Sequence, residues 1–254
     1  MIARLIFLLC LCAQPALGMS AKSYIVTDMD GNVLAESYPD VQRPIASITK
    51  LMTTERNSAL APDELIMITA QDVHAGKMRS SPLRSGMLVP RSTLIELALV
   101  SSDNIAAIAL GRSDSAQMYL PPNTRIVEAS GLDAGNVSTA RELSEIARTL
   151  YHSRLAGISV RPTVAFNKQT RRSTNPLLTK PGWDFFLSKT GFTNPAGGCL
   201  VVITKIAGQQ VAVVILGARD TKQRWADLVE LRKKLGDTDF YVPTKKLAWR
   251  KVRR

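Results

Sequence analysis

Two runs of aliphatic and β-branched residues near the C-terminal end, Leu200 to Ile206 and Val211 to Leu216, constrain this 254-residue chain most. Branched side chains are stiff at χ1 and pack well on a pleated surface, so both runs read as strands. Only Ala207-Gly208-Gln209-Gln210 separates them, which predicts an antiparallel hairpin buried on at least one face. A second hairpin is expected at the other end, over Ser23 to Glu36, where Asp30-Gly31-Asn32 supplies the turn. Between these lie helical and loop patterns. Ala46 to Leu60 reads as helical at its start, Leu65 to Thr69 as a short strand, and residues 74 to 91 as a polar loop. Thr93 to Leu110 is the most helical stretch, read as one helix with Leu94, Leu97, Leu99, Ile105 and Ile108 on its apolar side. Thr139 to Tyr151 is a helix capped by Ser138 or Thr139 with Glu142, and Arg224 to Leu235 is an amphipathic closing helix. This order predicts an α+β fold: an antiparallel sheet built from both chain ends, with a helical cluster packed against it.

The two ends differ from the body. Met1 to Arg4 gives a short positive start, Leu5 to Ala13 is apolar, and Ala16-Leu17-Gly18 places small residues where a signal peptidase reads. That apolar run is too short to span a bilayer, which takes about 20 residues. Cleavage after Gly18 is expected, and with it export. The division is then a signal peptide over 1–18, a catalytic domain over 19–236 and a basic tail over 237–254. Residues 245 to 254 hold six Lys or Arg and no acid, so half of the net charge of +12 lies there. Such a tail suits weak contact with an anionic surface, Trp249 assisting, while export disfavours nucleic acid as a partner. After processing only Cys199 remains, so no internal disulfide is possible, and it reads as a packed core thiol. His74 and His152 stand apart, which argues against a metal site.

Chemistry therefore has to come from other residues. Ser47-Ile48-Thr49-Lys50 places a hydroxyl and an amine three residues apart at a helix start, hence on one face. Serine is a weak nucleophile until a base takes its proton, and lysine serves when burial or a nearby cation favours its neutral form. The unpaired amides of a helix N-terminus can also face a developing oxyanion. Ser102-Asp103-Asn104 adds a second hydroxyl and an amide. Lys189-Thr190-Gly191 follows the apolar run Trp183 to Leu187, and puts a cation, a hydroxyl and a residue without side chain on a strand edge. An edge of that kind suits an extended peptide ending in a carboxylate. Ser173-Thr174-Asn175 repeats the Ser-x-Asn pattern, so that pattern alone is weak evidence.

These three motifs, in this order, are shared by class A β-lactamases and penicillin-binding proteins. The chain resembles the low-molecular-mass penicillin-binding proteins, the D-alanyl-D-alanine carboxypeptidases and endopeptidases. Arg43 to Thr53, Gly131-Leu132, Asn136 to Ala140 and Lys189 to Asn194 carry the likeness, and Arg43-Pro44-Ile45 with Phe192-Thr193-Asn194 looks most like the endopeptidase branch. The resemblance implies a serine β-lactamase/DD-peptidase-like fold and no cofactor. It implies that Ser47 attacks the D-Ala carbonyl with Lys50 as base, and that Ser102 protonates the leaving amine. Asn104 would orient the acyl side and Lys189, beside Thr190, would bind the substrate carboxylate. The amides of Ser47 and Phe192 would form the oxyanion hole, with Gly191 between them. Peptidoglycan peptides would be substrates, β-lactams covalent inhibitors, and the periplasm the site of action.

Two departures from the family stand out. Its helix after the Ser-x-x-Lys motif continues apolar, whereas here it reads Thr54-Glu55-Arg56-Asn57-Ser58. Burying Glu55 and Arg56 without partners would cost several kcal/mol, so either the helix ends early or the packing is rearranged. The stretch from Asn104 to Asn123 is shorter than the family's and is expected to lack a helix. Arg224 reads as a surface residue of the last helix, with assistance to Lys189 as its alternative role. Two other activities remain in view: a class A-like β-lactamase, and a weakened cell-wall-binding protein. The first lacks its Glu-x-x-Leu-Asn pattern between Ser102 and Lys189, where Glu128 belongs to the peptidase-like stretch.

Overall fold

The aliphatic runs at the C-terminal end pair as their composition requires. In the computed structural model, which describes residues 18–76, 80–113 and 120–237, the chain opens with β1 (Ser23–Asp28), β2 (Val33–Ser37) and β3 (Arg43–Pro44). A 3₁₀ turn (Ala46–Thr49) leads into α1 (Lys50–Ser58), followed by β4 (Leu65–Met67), α2 (Ala70–Ala75) and β5 (Leu88–Pro90). Then come α3 (Arg91–Val100), α4 (Asn104–Arg112), β6 (Val137–Ser138), α5 (Ala140–Tyr151) and α6 (Arg154–Ser159). The hairpin β7 (Thr163–Phe166) and β8 (Gln169–Arg172) precedes β9 (Phe185–Thr193), β10 (Gly197–Ile206), β11 (Gln209–Ala218) and α7 (Gln223–Lys234).

Five strands form an antiparallel sheet in the order β2-β1-β11-β10-β9, so the two chain ends meet in one sheet as predicted. Ser23 pairs with Leu216 and Leu200 with Thr190, which leaves β9 as an edge strand. Ala207 and Gly208, both at positive φ, form the two-residue turn between β10 and β11. Alternation along the strands feeds two cores. Val201, Ile203, Val214 and Leu216 face the cluster shared with α1, α3, α4, α5 and α6, while Leu200, Val202, Val213 and Ile215 face Trp225 and Leu228 of α7. The sheet is therefore buried on both faces.

Five expectations need correction. Thr93 to Leu110 is two helices, not one. The apolar period runs through, but Asp103 caps α4 by accepting from Ala106 N at 3.0 Å, and Ser102 sits at φ +57° in the break. Local capping by Asp competes with helix continuation, and at this position it wins. Consequently the stretch after Asn104 does hold a helix, α4. The region read as a loop over 74–91 contains the end of α2 and all of β5, and Thr69 ends no strand: it caps α2 in a reciprocal box with Asp72. At α5 the cap is Thr139, but Glu142 turns its carboxylate to Asn123 N and Thr124 Oγ1 rather than back to the cap.

The polar helix after Thr53 does not end early. α1 runs to Ser58, Glu55 and Arg56 are only half-buried, and the fully buried Asn57 is bonded to Arg91. Arg91, itself buried, reaches Glu64 Oε2 at 2.7 Å. Burial still pushes the Glu55 carboxyl above its usual range. The helix therefore continues with both charged side chains only half-buried.

Candidate active site

The Ser-x-x-Lys residues lie where a tight turn becomes a helix, with Ala46 at φ +47° just before Ser47. Lys50 Nζ lies 2.8 Å from Ser47 Oγ. Lys50 is fully buried, whereas Ser47 is half-buried and lines an open cleft of about 890 Å³. The same Nζ lies 2.9 Å from Asn104 Oδ1 and 2.6 Å from the Ser130 carbonyl oxygen. Two of these partners only accept and the third is a hydroxyl that can donate.

A second hydroxyl–amine pair faces the first. Ser102 sits in the α3–α4 break, and Lys189 Nζ lies 2.9 Å from its Oγ and 2.9 Å from Thr190 O. Both residues are buried. The sequence motifs thus converge, although 87 residues separate Ser102 from Lys189. Asn104 faces Lys50 from the first turn of α4. Thr190, Gly191 and Phe192 line the cleft along the edge of β9. A Cβ on Gly191 would lie 3.1 Å from Ser47 N and 2.8 Å from Ile45 O, so only glycine lets the strand pass this close to the nucleophile's amide. Ser173-Thr174-Asn175 forms a cleft wall instead of a second middle motif: Thr174 Oγ1 is 2.7 Å from Thr190 Oγ1, and Asn175 Nδ2 is 3.0 Å from Ser188 Oγ.

Three features escaped the sequence. Arg224 is not a surface arginine: it is buried, lines the cleft and donates to Gly191 O at 2.9 Å. The Ser130 carbonyl is a backbone group and leaves no mark on side-chain identity. Glu128 holds that carbonyl in place, its Oε2 accepting from Ser130 N and Oγ at 2.6 Å each, its Oε1 from Gly131 N at 2.5 Å. Asn136 ties the same loop to the catalytic turn, donating to Glu128 O at 2.8 Å and to Thr49 Oγ1 at 3.0 Å. A glutamate two and three positions before a Ser-Gly pair was the available signal.

The family model described as D-alanyl-D-alanine carboxypeptidase matches residues 11–220. The chain belongs to that family. Among curated relatives, the D-alanyl-D-alanine endopeptidase of Pseudomonas aeruginosa is 36% identical, over 85% of this chain and 77% of that protein. The enzyme of the same name from Escherichia coli is 34% identical over 87% and 78%. Ampicillin-bound penicillin-binding protein D2 from Listeria monocytogenes is a structural neighbour at 28% identity and TM-score 0.72, covering 88% of this chain and 99% of that one. Penicillin-binding protein 6B from Escherichia coli matches with TM-score 0.75 at 25% identity, over 87% and 78%. The serine β-lactamase/DD-peptidase-like fold is thereby established for this family member.

Cys199 of this D-alanyl-D-alanine carboxypeptidase relative is fully buried, near the backbone oxygens of Pro44 and Ala196. Burial pushes its thiol up to about 11, against weaker lowering by Gly217 and Arg224. A thiol that is neutral at pH 8 and shielded from solvent does not react. With residues 1–18 removed, a chromogenic disulfide reagent at pH 8 is expected to release no colour from folded protein and one equivalent in guanidinium.

Proposed function

We propose that this protein is a serine DD-endopeptidase that opens cross-links in peptidoglycan and is acylated by penicillins at Ser47. The observation that carries the reading is the Lys50 amine held between Ser47 Oγ, Asn104 Oδ1 and the Ser130 carbonyl beside a free strand edge. Ser47 Oγ gives its proton to Lys50 Nζ and bonds the D-Ala carbonyl carbon. The resulting oxyanion is received by the amides of Ser47 and Phe192. The C–N bond then breaks as Ser102, held by Lys189, supplies a proton to the leaving amine. Water hydrolyses the acyl-enzyme and frees Ser47. Lys189, to which the resemblance gave the substrate carboxylate, instead acts through Ser102, its Nζ lying on Ser102 Oγ and Thr190 O, and the carboxylate falls to the Thr190 hydroxyl and the Arg224 side of the cleft. Asn104 positions Lys50 as well as the acyl chain.

Both curated relatives quoted above are named endopeptidases, at higher identity than the carboxypeptidase relatives from the same comparison, which favours that branch. Export after cleavage at Gly18 and action in the periplasm belong to the same proposal, as does weak contact of the 237–254 tail with an anionic surface. Among the described residues no helix is long and apolar enough to cross a membrane. The residues lining the cleft include no Asp or Glu, so nothing there favours the rapid water activation of a class A-like β-lactamase. Incubation with a cross-linked muropeptide dimer and, separately, with a free pentapeptide tests the reading. Monomer release from the dimer is expected. D-Ala release from the pentapeptide alone would make it a carboxypeptidase, and fast nitrocefin turnover a β-lactamase.

Glu128 is a positioning residue in this scheme. Glu128→Gln keeps the volume but turns an NH₂ toward amides that need an acceptor, and so loosens the Ser130 carbonyl. Displacing a catalytic group by about 1 Å costs about 10²-fold. Penicillin acylation is expected to slow by about that factor, read from the rate of adduct formation, with the maximum of the pH–rate profile displaced.

A further inference from the structure

We infer that the cleft carries a second anion subsite, centred on Arg172, that takes a distal carboxylate of the leaving peptide. The inference rests on the DD-peptidase reading and refines its substrate. The hairpin β7–β8 ends at the cleft. Its last pair, Thr163 and Arg172, lines the wall, and Ser173 N closes the next step on Pro162 O at 2.8 Å. The wall that follows is fixed: Thr174 N donates to Val100 O at 3.2 Å, just before the Ser102 turn, and Thr174 Oγ1 meets Thr190 Oγ1 at 2.7 Å. Arg171, on the other face of the strand, is tied to the backbone of Ser80. The Arg172 side chain is exposed and makes no hydrogen bond or ion pair among the described residues.

Charge in the cleft is one-sided. Arg172, Lys180 and Arg224 line it, Lys189 lies behind Thr190, and none of the described lining residues is an acid. One substrate carboxylate, beside the scissile amide, is met at Thr190 and Arg224. A free D-Ala leaving group brings only that one. The leaving half of a cross-link brings a whole stem peptide, with a further free carboxylate at its end. From Thr190 the wall runs through Thr174 to Arg172, so the guanidinium stands on the leaving-group side. There it offers a planar fork that pairs a carboxylate through two parallel hydrogen bonds. Arg172 thereby separates the two activities where the first carboxylate cannot.

The test compares wild type, R172A, R172E and R172K on three reactions: acylation by benzylpenicillin, D-Ala release from a free pentapeptide, and cleavage of a defined cross-linked dimer. R172A is expected to lower kcat/KM for the dimer about 10-fold, mostly through KM, and R172E further. R172K should restore part of it, and the other two reactions should change less than about twofold. A dimer amidated only at the distal acceptor carboxylate should be cleaved by wild type no faster than R172A cleaves the free acid. Equal loss on all three reactions, or dimer cleavage by R172A at the wild-type rate, overturns the subsite while leaving the peptidase reading intact. Wild-type protein that is acylated by penicillin but cleaves no dimer overturns the endopeptidase reading and the subsite together.

Discussion

Ser47→Ala is expected to abolish the single covalent adduct that ampicillin leaves on the wild-type protein, and to slow dimer cleavage by about four orders of magnitude or more. The hydroxyl is the only atom lost, and Ser47 is only half-buried, so the thermal transition should stay close to that of wild type. Lys50→Ala should fall almost as far, because an unactivated serine is a poor nucleophile. The double variant should be no slower than the worse single one, since two groups that act as a unit do not add. Intact-mass spectra followed by peptide mapping read the first effect, and chromatography of muropeptides reads the rates. An ampicillin adduct retained by Ser47→Ala would place the nucleophile elsewhere and dismantle the mechanism.

Gly131→Ala should be the most destructive small change. Gly131 has φ +82°, and a Cβ there would sit 2.0 Å from the Ala46 carbonyl oxygen and 2.8 Å from Ser47 N. Both the backbone conformation and the clash penalise alanine, each by about 1–3 kcal/mol. The loop and the catalytic turn would have to part, taking Ser130 away from Lys50. A fall in denaturation midpoint corresponding to about 3 kcal/mol or more is expected, with penicillin acylation lost. Gly157→Ala provides the contrast. It lies within α6, has no atom within 4 Å of the added carbon, and should stabilise by about 0.5–1 kcal/mol. Equal midpoints for the two variants in urea titrations would show that close approach at Gly131 is not what the fold requires.

Much of this protein was legible in its sequence because some signals are local. The short turn at Ala207-Gly208 makes the flanking runs pair with each other, and the Ser47–Lys50 spacing fixes neighbours on one turn whatever surrounds it. Those features determined an α+β sheet built from both ends, and a serine beside a lysine. Other features depended on partners far along the chain. The apolar period from Leu94 to Ile108 could not reveal that Asp103 would cap a new helix, because capping and continuation differ by only about 1 kcal/mol. The polar run after Thr53 left open whether the helix ends early or packs differently, since the sequence could not show Glu55 and Arg56 half-exposed or Arg91 as a buried partner for Asn57. Arg224 looked like a surface cation because helix periodicity says nothing about a strand edge opposite it. The Ser130 carbonyl was invisible altogether, since every residue has one. By itself the sequence determined which groups can react and which strands must exist. Only the tertiary structure decided that Ser102 meets Lys189, what holds Lys50, and where the cations gather, because contacts over 80 and more residues depend on packing that no local pattern encodes.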